Sequence, residues 1–318
     1  MFSIEPLRKN LPYGALVRGL TLDDLDDEAN RQTLRDLFRD KGLVLFRGAP
    51  ATVPLQIELS RLFGPLERHV QDDRLVEGQP ELYRLIGNSQ TEDIVEVDGE
   101  RRCGFLQWHA DFRWQPHPNH GGILRVVRAP SRGGQTGFTC QINAYDRLPE
   151  ELKARIEGLE CVYQLQVDET WFKFAPRHNC RFVRLGAGLE RIRERQLRGE
   201  FPPVAQPLVL TQPGTGRKML NLSTINLQGV LGWPQDKSDA LLTDLAWRVS
   251  DPEQAYIHEW APDLQDMVLW DNLRLLHTAE GIPEGDEREA WRTTIGAPNP
   301  IGRPLGEKAW SWAEAVEG

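Results

Sequence analysis

Two short stretches, far apart in this chain, carry residue types that can bind a redox metal. Trp108-His109-Ala110-Asp111 offers an imidazole and a carboxylate, and the run Trp270-Asp271-Asn272 leads on to His277, a second imidazole. Two imidazoles and one carboxylate occupy one face of an octahedral metal and leave the other positions free for small molecules, which is an oxygenase arrangement. In extended chain, side chains two apart point the same way, so His109 and Asp111 can reach one ion while Ala110 faces away. Residues 290–295 read as a strand, and extension back to Arg288 puts Arg288 and Arg292 on one face. Two guanidiniums aimed into one pocket call for anions there, because arginine suits bidentate carboxylate recognition. Each piece alone is weak evidence: a His-x-Asp triplet is mostly a surface accident, and late arginines usually face solvent. The ordered combination is far more specific.

The elements that must position these groups are legible in outline. Met267-Val268-Leu269-Trp270 is an apolar run of strand length ending in the turn-prone Asp271-Asn272. Residues 29–41 read as an amphipathic helix with Leu34, Leu37 and Phe38 on one side, feeding a strand at 43–46. Residues 123–127 look like a buried strand, and a short helix starts at 148–152, with Leu152 and Ile156 on one face. A charged helical stretch at 188–200 reads as an outer elaboration, ended by Pro202-Pro203 before the sheet resumes at 208–210. Residues 69–107 are polar and turn-rich, which suits a plain exposed loop.

Composition narrows the class. The chain has 318 residues, 40% of them hydrophobic, enough for one large core. A formal net charge of −9 argues against a nucleic-acid partner, whose phosphates call for a basic patch. The four cysteines, Cys103, Cys140, Cys161 and Cys180, show no Cys-x-x-Cys spacing, so neither a zinc knuckle nor a redox pair is suggested. The first residues lack a signal-peptide pattern and no run approaches a membrane span, so a cytoplasmic protein without a membrane partner is expected. Among the ten tryptophans, Trp270 and Trp291 read as core. Trp114 and Trp171, with Phe112 and Phe174, are candidates for an apolar substrate wall.

At this point the residues resemble a known family, the Fe(II)- and 2-oxoglutarate-dependent dioxygenases of the taurine dioxygenase and 2,4-dichlorophenoxyacetate dioxygenase (TauD/TfdA) type. The likeness runs from about Gly14 to about Ile295. It includes Gly42-Leu43-Val44-Leu45-Phe46-Arg47-Gly48, Phe63-Gly64-Pro65-Leu66, Gly133-Gly134-Gln135-Thr136, Thr215-Gly216-Arg217-Lys218 and Trp270-Asp271-Asn272. The resemblance implies a mainly β fold with flanking helices around a double-stranded β-helix (jelly-roll) core. It further implies a single domain over 1–318, with a lid at about 69–107 and a helical elaboration at about 186–203.

Residue by residue, the resemblance implies Fe(II) ligands at His109, Asp111 and His277. It implies a 2-oxoglutarate anchor at Arg288 and Thr136, and substrate contacts at His69, Phe112 and Arg292. The implied reaction uses O2, turns 2-oxoglutarate into succinate and CO2, and oxidises a C–H bond of a small carboxylate-bearing or amino-acid-derived metabolite. Hydroxylation is the default outcome, and Asp111 disfavours halogenation. A homo-oligomer is also expected on the resemblance. The chain departs from the pattern at Leu273, where close relatives often have arginine, with Arg274 one place later. Two rival readings are a zinc-type hydrolase on the same ligands and a non-catalytic ligand-binding member of the fold. The first gives no reason for Arg288, Thr136 and Arg292 to converge, and the second has no need of an intact set.

Overall fold

The computed structural model describes residues 2–48, 50–68 and 72–306. The fold is mostly β with a few helices, and its largest element is a nine-stranded sheet. Across that sheet the order is Ser3–Pro6, Ala15–Arg18, Leu43–Arg47, Met267–Asp271, Gly121–Arg128, Glu287–Ile295, Gln79–Asn88 and Leu75–Val76, with Leu66–Glu67 also paired to Glu287–Ile295. All of these pairings are antiparallel except Ala15–Arg18 with Leu43–Arg47. A parallel pair needs a crossover, and the helix Glu28–Lys41 supplies it.

That helix starts where the Asp27 side chain accepts the Ala29 N–H and stops at Gly42, whose φ of 71° is left-handed. Leu34 and Phe38 bury one of its faces against Val44, Phe46 and Leu269 of the sheet. Gly42 is also crowded: a Cβ there would lie 2.8 Å from Cδ of Arg274. The displaced arginine noted in the sequence is thus a buried structural group, donating to the last carbonyls of this helix, those of Arg39 and Asp40. A second helix, Val53–Arg61, lies on the same sheet and fixes it through Gln56, whose amide donates to the carbonyls of Ile123 and Trp291.

The second sheet that matters for function has four strands in the order Tyr256–His258, Thr136–Cys140, Leu275–Ala279 and Leu106–His109. Phe138 from this sheet packs with Leu124, Val268 and Trp270 of the large one, so a shared apolar core holds the two together. Two further four-stranded sheets and one two-stranded sheet are present among the described residues, and the helix Gln235–Val249 buries Leu241, Leu242 and Leu245 against the four-stranded sheet that contains Glu160–Tyr163 and Leu227–Val230.

Several sequence expectations need restating. The helical elaboration is present as Ala187–Leu197. The stretch expected as lid or loop is strand-rich from Gln79 onward: Gln79–Asn88 is a ten-residue member of the large sheet, and Ile94–Val97, Glu100–Cys103 and Leu106–His109 follow. A plain exposed loop is therefore excluded for that part. Trp171 and Phe174 do not form a substrate wall; both are buried in separate apolar clusters, Trp171 with Phe201 and Phe174 with Tyr163. Trp114 packs edge-on against Phe201 at 5.4 Å.

Candidate active site

His109 ends the strand Leu106–His109 and stands directly opposite His277 in the neighbouring strand. Their rings lie 4.1 Å apart. Nδ1 of His109 is 2.7 Å from the Gln107 carbonyl; donation of its proton there leaves the Nε2 lone pair facing Asp111. Oδ1 of Asp111 lies 3.5 Å from Nε2 of His109 and 3.6 Å from Nε2 of His277. One donor atom from each residue falls within 4.8 Å of the others, a spacing that one ion can bridge.

The electrostatics suit a cation. Burial opposes a charge on Asp111, but the Arg292 guanidinium beside it outweighs burial and holds the carboxyl well below its usual range. Burial and the neighbouring His109 push His277 down to about 4, so its imidazole is neutral at pH 7 and able to act as a ligand. Nη2 of Arg292 approaches Oδ2 of Asp111 to 2.7 Å without hydrogen-bond alignment, and both atoms are otherwise unpartnered. A buried cluster with open lone pairs is what a metal satisfies.

Backbone geometry places Asp111. The next residue, Phe112, has a φ of 55°, so the chain turns sharply just after the carboxylate. The side-chain amide of Asn272, fully buried, holds that turn: its Oδ1 accepts the Asp111 N–H at 2.8 Å and its Nδ2 donates to the Asp111 carbonyl at 3.1 Å. Asn119 takes another Nδ2 bond at 3.0 Å. Sequence reasoning treated Trp270-Asp271-Asn272 as a landmark and assigned no task to Asn272. Its turn chemistry was readable, but its partner, 161 residues away, was not. Asn272→Ala is expected to weaken Co(II) binding by about 10- to 100-fold, measured by visible spectroscopy. Asn119→Ala, which leaves both bonds to Asp111 in place, should cost much less.

One cavity, of about 230 Å³, is lined by His109, Asp111, Thr136, His277, Arg288 and Arg292 together. Arg288 is half-buried and meets no protein anion among the described residues, desolvation pushes its guanidinium down to about 10, and its Nε has no partner. Gly134 makes room for it: a Cβ there would sit 3.2 Å from Cδ of Arg288 and 2.8 Å from Cγ of Pro130. A desolvated guanidinium beside a threonine hydroxyl fits a carboxylate of a bound molecule. Leu85, Ile86, Phe105 and Leu106 supply an apolar wall. Phe112 is not among the lining residues; its ring meets Trp114 at 6.3 Å. His69 lies outside the described residues. His117 and His120 join no metal cluster: Nε2 of His117 pairs with the Ala297 carbonyl at 2.7 Å, and the His120 ring packs on Phe38.

Asp93 lines the outer end of the cavity, where burial raises its carboxyl to about 6 despite the Gly186 N–H that it accepts. Between pH 4 and 6 the unfolded chain releases this proton while the folded one keeps it. Stability therefore falls as pH rises through that window and levels off above it. Asp93→Asn retains an acceptor for Gly186 and is expected to raise stability at pH 7.5 by about 2 to 3 kcal/mol at most, with no gain at pH 4. Urea midpoints at the two pH values check this.

Comparison with known proteins agrees with the geometry. The family profile described as taurine catabolism dioxygenase TauD, TfdA family, matches residues 3–294. The chain belongs to this family. It is 32% identical to the (S)-phenoxypropionate/alpha-ketoglutarate-dioxygenase of Sphingobium herbicidovorans, over 97% of this chain and 98% of that protein. It is 29% identical to the alpha-ketoglutarate-dependent 2,4-dichlorophenoxyacetate dioxygenase of Cupriavidus pinatubonensis, over 89% of this chain and 94% of that one. Among solved structures, AAD-2 in complex with Mn(II) and N-oxalylglycine superposes with a TM-score of 0.68 at 24% identity, covering 95% of this chain and 99% of that one. As a TauD/TfdA member the protein is an Fe(II)- and 2-oxoglutarate-dependent dioxygenase, an oxidoreductase acting on a small molecule with O2. Neither the hydrolase nor the non-catalytic reading finds support among these relatives. Among the described residues no helix is long and apolar enough to cross a membrane.

Proposed function

We propose that His109, Asp111 and His277 hold the Fe(II), that Arg288 and Thr136 anchor the distal carboxylate of 2-oxoglutarate, and that Arg292 receives the carboxylate of an aromatic or aryloxy acid that is hydroxylated. The observation that carries this reading is the shared cavity. Three donor atoms that one ion can bridge and an anion-seeking Arg288 open into the same space. The substrate class rests on the apolar wall of Leu85, Ile86, Phe105 and Leu106 beside Arg292, and on two relatives named for aryloxy acids. We read the two facing sheets as the double-stranded β-helix core, and the segment carrying Arg74 and Glu92, an ion pair at the cavity edge, as part of the cover over the site.

When bound, the iron would supply the oxidising chemistry, in which 2-oxoglutarate and O2 together give succinate, CO2 and one oxygen atom for the substrate. The chain's own residues orient and exclude. Arg288 and Thr136 would hold the distal carboxylate of the co-substrate in the cavity that His109, Asp111 and His277 also line. Arg292 lies 5.0 Å from the centroid of the Trp270 ring, which limits where its guanidinium can travel and hence where a substrate carboxylate is held. The apolar wall of Leu85, Ile86, Phe105 and Leu106 would limit the water that reaches the reacting C–H bond.

The test is an anaerobic titration of the apoprotein with Fe(II) and 2-oxoglutarate, following the weak visible charge-transfer band. Pools of aryloxy acids, aromatic acids and amino acids are then added. A band that shifts with the aryloxy or aromatic pool supports the full reading. A shift with amino acids alone would overturn the substrate class, and no band with folded, iron-loaded protein would overturn the anchor assignments.

A further inference from the structure

The hydroxyl of Thr136 is engaged before any co-substrate arrives. Trp260, two residues beyond the strand Tyr256–His258, donates its indole Nε1–H to Oγ1 of Thr136 at 3.0 Å. The two segments are neighbours because Thr136 stands opposite His258 in the antiparallel pair. The indole is itself braced. Its ring meets His258 edge-on, 4.3 Å between centroids, and Nδ1 of His258 shares a hydrogen bond with the Tyr256 hydroxyl at 3.0 Å. On the far side of His258, Oδ2 of Asp266 lies 3.4 Å from Nε2, and Arg47 grips that carboxylate through contacts of 2.8 and 2.6 Å.

A threonine hydroxyl has one proton to give and two lone pairs to offer, and it rotates to suit its surroundings. An indole N–H only donates, so Trp260 takes a lone pair and leaves the proton free. Among the described residues no protein group accepts that proton, and Thr136 faces the cavity it shares with Arg288. A hydroxyl on a strand would otherwise be free to turn toward nearby backbone carbonyls. Trp260 is not itself among the residues lining the cavity, so whatever it does there passes through Thr136.

We infer that Trp260 is a positioning residue for the co-substrate: its indole N–H sets the Thr136 rotor so that the hydroxyl proton is donated to the carboxylate held by Arg288. The inference rests on the proposal that this carboxylate sits between Thr136 and Arg288. Trp260→Phe removes the N–H and keeps a ring in place. Thr136→Val removes the hydroxyl and keeps the shape.

The experiment measures 2-oxoglutarate binding to Mn(II)-loaded protein by calorimetry without O2, together with KM and kcat of the Fe(II) enzyme. Trp260→Phe is expected to weaken 2-oxoglutarate binding by about three- to tenfold, the size of one hydrogen bond's net contribution, and to raise its KM equally with kcat at saturation unchanged. In the Thr136→Val background the same change should have no further effect, because the two residues act as one unit. Unchanged binding in Trp260→Phe overturns the inference. So does an equal loss in the Thr136→Val background, which would mark the ring as packing alone. Arg288→Ala separates the two layers. If it too leaves binding intact, the anchor proposal fails; if it abolishes binding while Trp260→Phe does nothing, only this inference fails.

Discussion

Replacing Asp111 with alanine is expected to abolish iron-dependent succinate formation in a protein that still folds. Asp111 is the anionic member of the donor set, with one oxygen within 3.6 Å of both imidazoles. Without it, two imidazoles with no compensating carboxylate remain beside the Arg292 guanidinium, and the cluster changes from one that attracts a divalent cation to one that repels it. The fall in metal affinity should exceed the roughly 10- to 100-fold that losing an outer hydrogen-bond partner costs. The loop should keep its shape, because Asn272 grips the backbone N–H and carbonyl of residue 111 and not its side chain. Arg292 loses its buried partner, so a stability loss of about 3 to 5 kcal/mol is expected alongside. Equilibrium dialysis with Fe(II) under argon, with circular dichroism on the same samples, separates loss of metal from loss of fold. Undiminished turnover would remove Asp111 from the donor set.

The second large effect is expected at Arg288. Truncating one partner of a buried, hydrogen-bonded charge pair costs on the order of 2 to 5 kcal/mol, or about 30- to 4,000-fold. Arg288→Ala should raise the 2-oxoglutarate requirement by an amount in that range, because the carboxylate would be left in an apolar pocket with only a threonine hydroxyl. Arg292→Ala should change the 2-oxoglutarate requirement far less and weaken substrate binding instead. Initial rates of succinate formation across 2-oxoglutarate and substrate concentrations give both numbers. Equal effects on 2-oxoglutarate would mean that the two arginines have exchanged roles.

Much of the site was legible because its parts are local. His109 and Asp111 are two apart, Arg288 and Arg292 lie on one strand, and period two alone puts each pair on one side. The structure adds that both pairs, with His277 and Thr136, line a single cavity. The helix Glu28–Lys41 and the strand Met267–Asp271 were readable from apolar spacing and from residues that cap or break. Two helices were readable but overlooked. Thr52 caps Val53–Arg61 with a proline in its first turn, and Leu241, Leu242, Leu245 and Val249 mark the buried face of Gln235–Val249. What spacing could not reveal was pairing at long range. The aromatic residues 171 and 174 carry no mark that separates a cavity wall from a packed cluster, since either environment removes them from water. Asn272 and Trp260 act through partners more than a hundred residues away.

The order of strands in the large sheet has a consequence for the life of the nascent chain. Met267–Asp271 and Glu287–Ile295 flank Gly121–Arg128 on either side, and Met267–Asp271 also joins it to the amino-terminal strands. A polypeptide that has left the ribosome only as far as residue 260 therefore holds four unconnected fragments of that sheet, each with bare edges that invite foreign strands. Such long-range closure is slow, and the open edges persist until residues 267–295 have been made. His277 emerges in the same late portion, so the chain can assemble its full donor set only when the sheet beneath it can also close. Synthesis order thus ties completion of the donor set to closure of the sheet.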